Sequence, residues 1–223
     1  MNQDEQKKAI AAAALDYVLE ASNQIAPIGI GTGSTANFFI DLLGAHKDRF
    51  SGAVPSSEAS AERLTAQGIA ILDFAQSGPL NFYVDGADEI NDELCMIKGG
   101  GAALTREKIV ASMADQFICI ADESKQVKVL GSFPLPIEVI PMAEVPVSIA
   151  IAKLGGKAVK REETITDNGN IIIDAFDLEI VEADTWEQTI NQIPGVVTNG
   201  IFAQQRAKVL FTFSNGQVVS KQQ

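Results

Sequence analysis

The segment Lys98-Gly99-Gly100-Gly101-Ala102-Ala103-Leu104-Thr105-Arg106-Glu107-Lys108 joins a cation, three consecutive glycines and a carboxylate carried on a helix-forming run. Consecutive glycines let the backbone turn its N–H groups inward and approach a ligand closely. The helix start adds a positive dipole end, which favours an anion or a developing oxyanion. Glu107, about two turns in, is then an acid–base candidate facing a site built for negative charge. The same residues also suit a glycine-rich turn before a surface helix, so the segment alone leaves both readings open.

Three further loops carry polar groups after apolar runs, and ligands of open α/β sheets bind beyond the carboxyl ends of strands. The loop Gly29-Ile30-Gly31-Thr32-Gly33-Ser34-Thr35 has Ser34 where a dinucleotide fingerprint needs its third glycine, and it lacks the Gly-Lys-Ser/Thr of a P-loop. What remains at a helix start, with Thr32, Gly33, Ser34 and Thr35, suits one phosphate group. It equally suits a helix capped by Ser34 or Thr35. With the fingerprint broken, Glu58 is not expected to act as a ribose-binding acid.

In Asp85-Gly86-Ala87-Asp88-Glu89, two carboxylates stand three apart after an apolar run. They are costly to bury unless used or paired, and such pairs can divide acid and base roles. An Asp-rich surface turn is the plainer alternative, and no histidine or third clustered carboxylate supports a metal there. In Ala121-Asp122-Glu123-Ser124-Lys125, Lys125 can reach the same rim or simply be solvated, and Lys7 reads more readily as a solvated residue. Lys98 can sit beside the carboxylates or supply charge to a substrate oxygen, while Thr105 and Arg106 are expected to serve the helix itself.

The elements needed to position these loops are legible in outline. Helices are expected over 4–20, 36–43, 56–67 and from the glycines to about 114. Strands are expected over 25–30, 52–54, 69–72, 82–84 and 117–121. This alternation implies an α/β fold with a mostly parallel Rossmann-like sheet and helices on both faces. Pro134, Pro136 and Pro141 mark a change of pattern. Beyond them a helix over 147–154, extended runs at 158–161, 164–166 and 171–174, and a helix over 186–192 suggest a smaller α+β domain of the ferredoxin-like kind. Asp167-Asn168-Gly169-Asn170 reads as a hairpin turn with positive φ at both central positions. Val209–Phe213 and Val218-Val219, joined by Asn215-Gly216, return to the first domain. The expected domains are residues 1–130 with 209–223, and residues 131–208.

Composition narrows the partners. The 223 residues are enough for one large domain or one with a smaller companion. A net charge of −12 argues against nucleic acid or an anionic membrane as the main partner, though not against a small anion held by a few local cations. Cys95 and Cys119 form no metal-spaced motif, and His46 is the only histidine, so neither a zinc site nor a histidine-based triad is expected. Met1–Lys8 does not read as a signal peptide and no apolar run is long enough to span a membrane, so a reducing cytoplasm is the expected compartment.

Together the four loops resemble ribose-5-phosphate isomerase of the A type. Gly31–Thr35, Tyr83–Glu89, Ile97–Lys108 and Ile120–Lys125 look like that family's blocks, in the family's order. Phe133–Pro141, Thr166–Asn170 and Ile193–Val197 extend the resemblance through most of the chain. Pro55 before Ser56-Ser57 and the aromatic finish Lys208–Phe213 depart from it.

The resemblance implies interconversion of ribose 5-phosphate and ribulose 5-phosphate through a cis-enediolate, with neither a metal nor an organic cofactor. It makes Glu107 the base that moves a proton between C2 and C1. It assigns substrate contact to Asp85 and Asp88, with Gly86 and Ala87 between them, and surrounds the enediolate with Lys98, Gly99, Gly100 and Gly101. Thr32, Gly33, Ser34 and Thr35, with Lys7 and Lys125, would hold the phosphate. A place in the non-oxidative pentose phosphate pathway is implied, in an assembly that is usually a homodimer and sometimes a tetramer. Two other readings compete: a CoA transferase with Glu107 as nucleophile, and a non-catalytic sugar-phosphate sensor. The first leaves the paired aspartates and Lys125 without a job, and the second does not need Glu107.

Overall fold

A computed structural model describes residues 2–22 and 24–223; Met1, within the stretch compared with a signal peptide, and Asn23 lie outside the described residues. In chain order the elements are α1 (Gln3–Ala21), β1 (Ala26–Ile30), α2 (Ser34–Leu43), β2 (Phe50–Pro55), α3 (Glu58–Ala66), α4 (Phe74–Ser77), β3 (Leu80–Asp85), β4 (Glu89–Ile90) and β5 (Met96–Ile97). They continue with α5 (Leu104–Ser112), β6 (Ala114–Ile120), β7 (Leu135–Val139), α6 (Glu144–Lys153), β8 (Lys157–Lys160) and β9 (Ile171–Phe176). The last are α7 (Ala183–Asn191), β10 (Val196–Asn199), β11 (Ile201–Phe202), β12 (Val209–Ser214) and β13 (Gln217–Gln222). Two compact units result. One holds the residues up to Gly86, Arg106–Lys125 and Ala207–Gln223; the other holds Ala87–Thr105 and Gln126–Arg206.

The first unit is built on a six-stranded sheet of order β13-β12-β6-β3-β1-β2. Every pairing is parallel except β12 with β13. The inner strands are continuous apolar runs because both faces are covered. Ile28, Ile30, Val84, Ile118 and Ile120 are buried with Ile10, Ala14 and Val18 of α1 and Phe39, Ile40 and Leu43 of α2. From β1 the chain crosses to β2 on one side and then to β3 on the other, which makes the carboxyl ends of β1 and β3 a topological switch point. The β12–β13 hairpin closes on Asn215 (φ 51) and Gly216 (φ 85), the paired left-handed residues that match strand twist in a two-residue turn.

The expected strand over 69–72 is reduced to one bridge, Ala53 to Ile71. A left-handed Gly68 ends the run on one side, and the capping box of Asp73 with Gln76, which opens α4, ends it on the other.

The second unit holds an antiparallel sheet of order β10-β7-β9-β8, formed by β7-α6-β8-β9-α7-β10, the ferredoxin-like arrangement. Leu135, Ile137, Val139, Val147, Ile151, Ile171, Ile173 and Ile190 make its core. A three-stranded sheet, β11-β5-β4, completes the unit.

The turn at 167–170 differs from a tight hairpin. Only Gly169 has positive φ (78), and residues 161–170 separate β8 from β9. The buried Glu138 carboxylate organises this loop instead, accepting from Thr166 Oγ1 (2.9 Å), Asn168 Nδ2 (3.1 Å) and Asn170 Nδ2 (2.8 Å). The stretch 164–166 is correspondingly not a strand.

Candidate active site

In the first unit, Asp85 ends β3 at the switch point and is fully buried. Its Oδ1 accepts from Thr32 N–H (3.0 Å) and Gly86 N–H (2.7 Å), and its Oδ2 accepts from the Tyr83 hydroxyl (2.5 Å). Three donors offset the burial of the carboxylate. Gly31 must be glycine here, because a Cβ would lie 1.9 Å from Asp85 Cγ.

Tyr83 is itself buried, and its phenol is pushed well above its ordinary value, first by burial and then by the charges of Asp85 and Glu107. It therefore stays protonated and donating. A folded-state pKa above the unfolded value of 10.0 gives stability that is fully present below that pH and is lost as pH rises through the folded value. Tyr83→Phe is expected to lower stability at neutral pH and to flatten the decline that sets in above about pH 10, followed by urea unfolding. An equally steep decline in the variant would assign that loss to another group.

Helix α2 begins beyond Gly33, whose φ of 124 turns the chain into the helix, and no side chain caps it. Neither Ser34 nor Thr35 caps the helix, so the capping alternative falls away and the first-turn amides can meet an anion. Lys7 Nζ donates to Ser34 Oγ (3.0 Å), bringing a cation to that helix end. The Thr32 hydroxyl faces Ser56 (2.9 Å), Ser57 (2.8 Å) and Ser60 (3.3 Å), and Ser60 Oγ donates to Gly31 O (2.7 Å), which fixes the loop from behind. Lys125 follows β6 in a short 3₁₀ turn, half-buried, with its N–H on Asp122 O (3.0 Å).

Glu107 is 3% exposed and lies in the first turn of α5, earlier in the helix than its spacing from the glycines suggests. Ala102 (φ 59) prolongs the turn, so the helix starts only at Leu104. The first turn is where the helix dipole stabilises negative charge. Arg106 pairs with Glu58 (2.7 Å).

In the second unit, Asp88 Oδ2 accepts from Gly100 N–H (2.8 Å), and Asp88 N–H donates to Ile97 O (2.9 Å). Ala87 and the chain on to Thr105 belong to this unit. Gly99 takes a φ of 108, open to glycine at little cost. Lys98 is 2% exposed, its ammonium lies 5.7 Å from the Phe202 ring centroid, and its N–H donates to Gly200 O (2.9 Å). Gly100 and Gly101 are exposed, and the Thr105 hydroxyl donates to Glu138 rather than serving the helix.

Three of the four loops thus follow parallel strands of one sheet: β1, β3 and β6. The Lys98–Gly101 segment does not; it follows β5, which pairs antiparallel with β4 and β11. Sequence reasoning passed over Tyr83 as an ordinary strand residue and Ser60 as a helix residue. It also passed over Arg161, which lies in a polar stretch with no motif. Among the described residues no group of three or more His, Cys, Asp or Glu side chains is arranged to hold a metal ion, and no helix is long and apolar enough to cross a membrane.

A doubly wound α/β sheet whose switch point carries a buried carboxylate and an uncapped helix N-terminus defines an α/β enzyme acting on a small anionic ligand. The family model for ribose 5-phosphate isomerase A (phosphoriboisomerase A) matches residues 52–216. Ribose 5-phosphate isomerase A from Neisseria gonorrhoeae is 43% identical over 99% of this chain and 97% of that one, with a TM-score of 0.94. A D-ribose-5-phosphate isomerase in complex with phospho-erythronic acid is 38% identical over 100% of both chains (TM-score 0.93). Ribose 5-phosphate isomerase A from Methanocaldococcus jannaschii is 36% identical over 100% of both (TM-score 0.91). The chain belongs to the ribose 5-phosphate isomerase A family and functions as an isomerase; the CoA-transferase and sensor readings are not favoured.

Proposed function

We propose that this ribose 5-phosphate isomerase moves a proton between C2 and C1 of the opened sugar through a cis-enediolate, with Glu107 as the base. Glu107 takes the C2 proton and the electron pair shifts onto O1. The O2 proton then passes to O1 as the C2 carbonyl forms, and the Glu107 acid returns its proton to C1. The observation that carries this is a buried Glu107 in the first turn of a helix, whose charge, with that of Asp85, bears on the Tyr83 phenol. A weak carbon acid yields only where donors await the developing oxyanion, and Lys98 with the glycine-loop amides fits that need. Gly100 N–H is already engaged by Asp88, which leaves the Gly99 and Gly101 amides for the substrate. Asp85 would help open the ring and move hydroxyl protons, while Asp88 sets the loop or positions hydroxyls.

Thr32, Gly33, Ser34 and Thr35, with Lys7 and Lys125, would hold the phosphate, so that remote binding energy orients the reacting end. Lys7→Met is expected to raise KM for ribose 5-phosphate roughly tenfold with kcat little changed, since a hydrogen bond to a charged group contributes about 1.5–3 kcal/mol. An unchanged KM would remove Lys7 from the phosphate site. The net charge of −12 supports a small-molecule substrate over nucleic acid or membrane. A cytoplasmic homodimer in the pentose phosphate pathway is the setting that the family suggests. Purified protein incubated with ribose 5-phosphate and EDTA is expected to form ribulose 5-phosphate; no ketose would contradict a metal-independent isomerase.

A further inference from the structure

Arg161 stands just beyond β8, its N–H still donating to Ile172 O (2.9 Å), and Asp174 lies on β9, where it pairs with Val159. The two side chains form a forked ion pair: Nε to Oδ2 at 2.9 Å and Nη2 to Oδ1 at 2.6 Å. Both are largely buried, with side-chain exposures of 20% and 13%. The remaining arm of the guanidinium, Nη1, donates to two successive carbonyls of the glycine loop, Gly99 O (3.1 Å) and Gly100 O (3.0 Å).

The consequence follows from peptide geometry. In a trans peptide the C=O and the next residue's N–H point in opposite directions across one rigid plane. The Gly99–Gly100 plane is therefore pinned at both ends, its carbonyl by Arg161 and its N–H by Asp88. The Gly100–Gly101 plane is pinned at its carbonyl by Arg161, which sends the Gly101 N–H the opposite way. Glycine peptides left to themselves would rotate freely at this point. We propose that Arg161, oriented by Asp174, is a positioning residue that aims the Gly101 N–H as an oxyanion donor for the enediolate. This deepens the assignment of the glycine loop as the enediolate cradle and rests on it. Lysine cannot replace the arginine, because a single ammonium cannot fork to Asp174 and still reach both carbonyls.

The test measures kcat, KM, inhibition by phospho-erythronic acid, inhibition by inorganic phosphate and the thermal midpoint for wild type, Arg161→Lys, Arg161→Gln, Asp174→Asn and the Arg161→Lys/Asp174→Asn pair. The carboxylate of phospho-erythronic acid is planar and anionic, as the enediolate is, although the two oxygens of the enediolate sit on neighbouring carbons. Misaiming one donor is expected to lower kcat roughly ten- to a hundredfold. KM and phosphate inhibition should stay within about threefold, because the phosphate contacts are untouched. Binding of phospho-erythronic acid should weaken by the same factor as kcat, and the pair should be no worse than Arg161→Lys alone, since the two residues act as one unit. A lowered thermal midpoint with kcat within about twofold of wild type would show a structural brace only and overturn the proposal. If Arg161→Gln does not fold, Arg161→Lys decides by the same criteria. An active wild type with unaffected variants removes only the role of Arg161, whereas an inactive wild type removes the enediolate cradle with it.

Discussion

Glu107→Gln is expected to bind ribose 5-phosphate with near-normal affinity and to lose turnover by ~10²–10⁴-fold or more, the usual contribution of a positioned general base. The substitution keeps the shape of the side chain and its place in the first turn of α5, so packing around a residue that is 3% exposed changes little. What disappears is the lone pair proposed to take the C2 proton. The negative charge beside Tyr83 disappears too, so the phenol should titrate lower than in the wild type, because Glu107 is one of the charges holding it up. Turnover is read from ketose formation and binding from calorimetry with the substrate. Near-normal turnover in this variant would mean that another group is the base.

Gly31→Ala should be nearly as damaging although it removes no functional group. The added Cβ would fall 1.9 Å from Asp85 Cγ and 2.0 Å from Oδ1. Asp85 has no room to retreat, since Thr32, Gly86 and Tyr83 each donate to it and it is fully buried. Either the carboxylate leaves its donors or the loop after β1 moves, and that loop opens onto the α2 N-terminus. Leaving a buried charged group short of its partners costs about 1–3 kcal/mol or more in stability. A displacement of about 1 Å at a reacting or binding group costs roughly a hundredfold in kcat/KM. Chemical denaturation and initial-rate kinetics on the same preparation check both. A variant within a few tenths of a kcal/mol and a few-fold of wild type would mean that the loop yields without disturbing Asp85.

Much of this was legible from residue types. Apolar runs ending in Gly31–Thr35, Asp85–Gly86 and Ala121–Lys125 announced strands with polar loops at their carboxyl ends, and the parallel sheet places all three on one edge. The glycine triplet was equally visible, but its setting was not. A strand of two residues, Met96–Ile97, is too short to declare whether its neighbours run parallel or antiparallel. The two Asn-Gly pairs show the same limit: Asn215-Gly216 forms the tight hairpin, whereas Asn168-Gly169 sits in a wider loop that the buried Glu138 gathers from a distant strand. Local sequence records the permissiveness of Asn-Gly but not a carboxylate about thirty residues away in the chain. Tyr83 and Arg161 escaped for a related reason. Each matters through what its tip touches, Asp85 in one case and two glycine carbonyls in the other, and periodicity reports only the side of the backbone from which a side chain leaves.

Proton transfer at Glu107 is tested most directly by running the reaction in D₂O with EDTA and following the C2 hydrogen of ribose 5-phosphate by NMR. Wild type is expected to exchange the C2 hydrogen with solvent and to place deuterium at C1 of ribulose 5-phosphate, while Glu107→Gln, with substrate bound, leaves C2 unexchanged. A Glu107→Gln variant that exchanges C2 at the wild-type rate would contradict proton transfer by Glu107 through an enediolate.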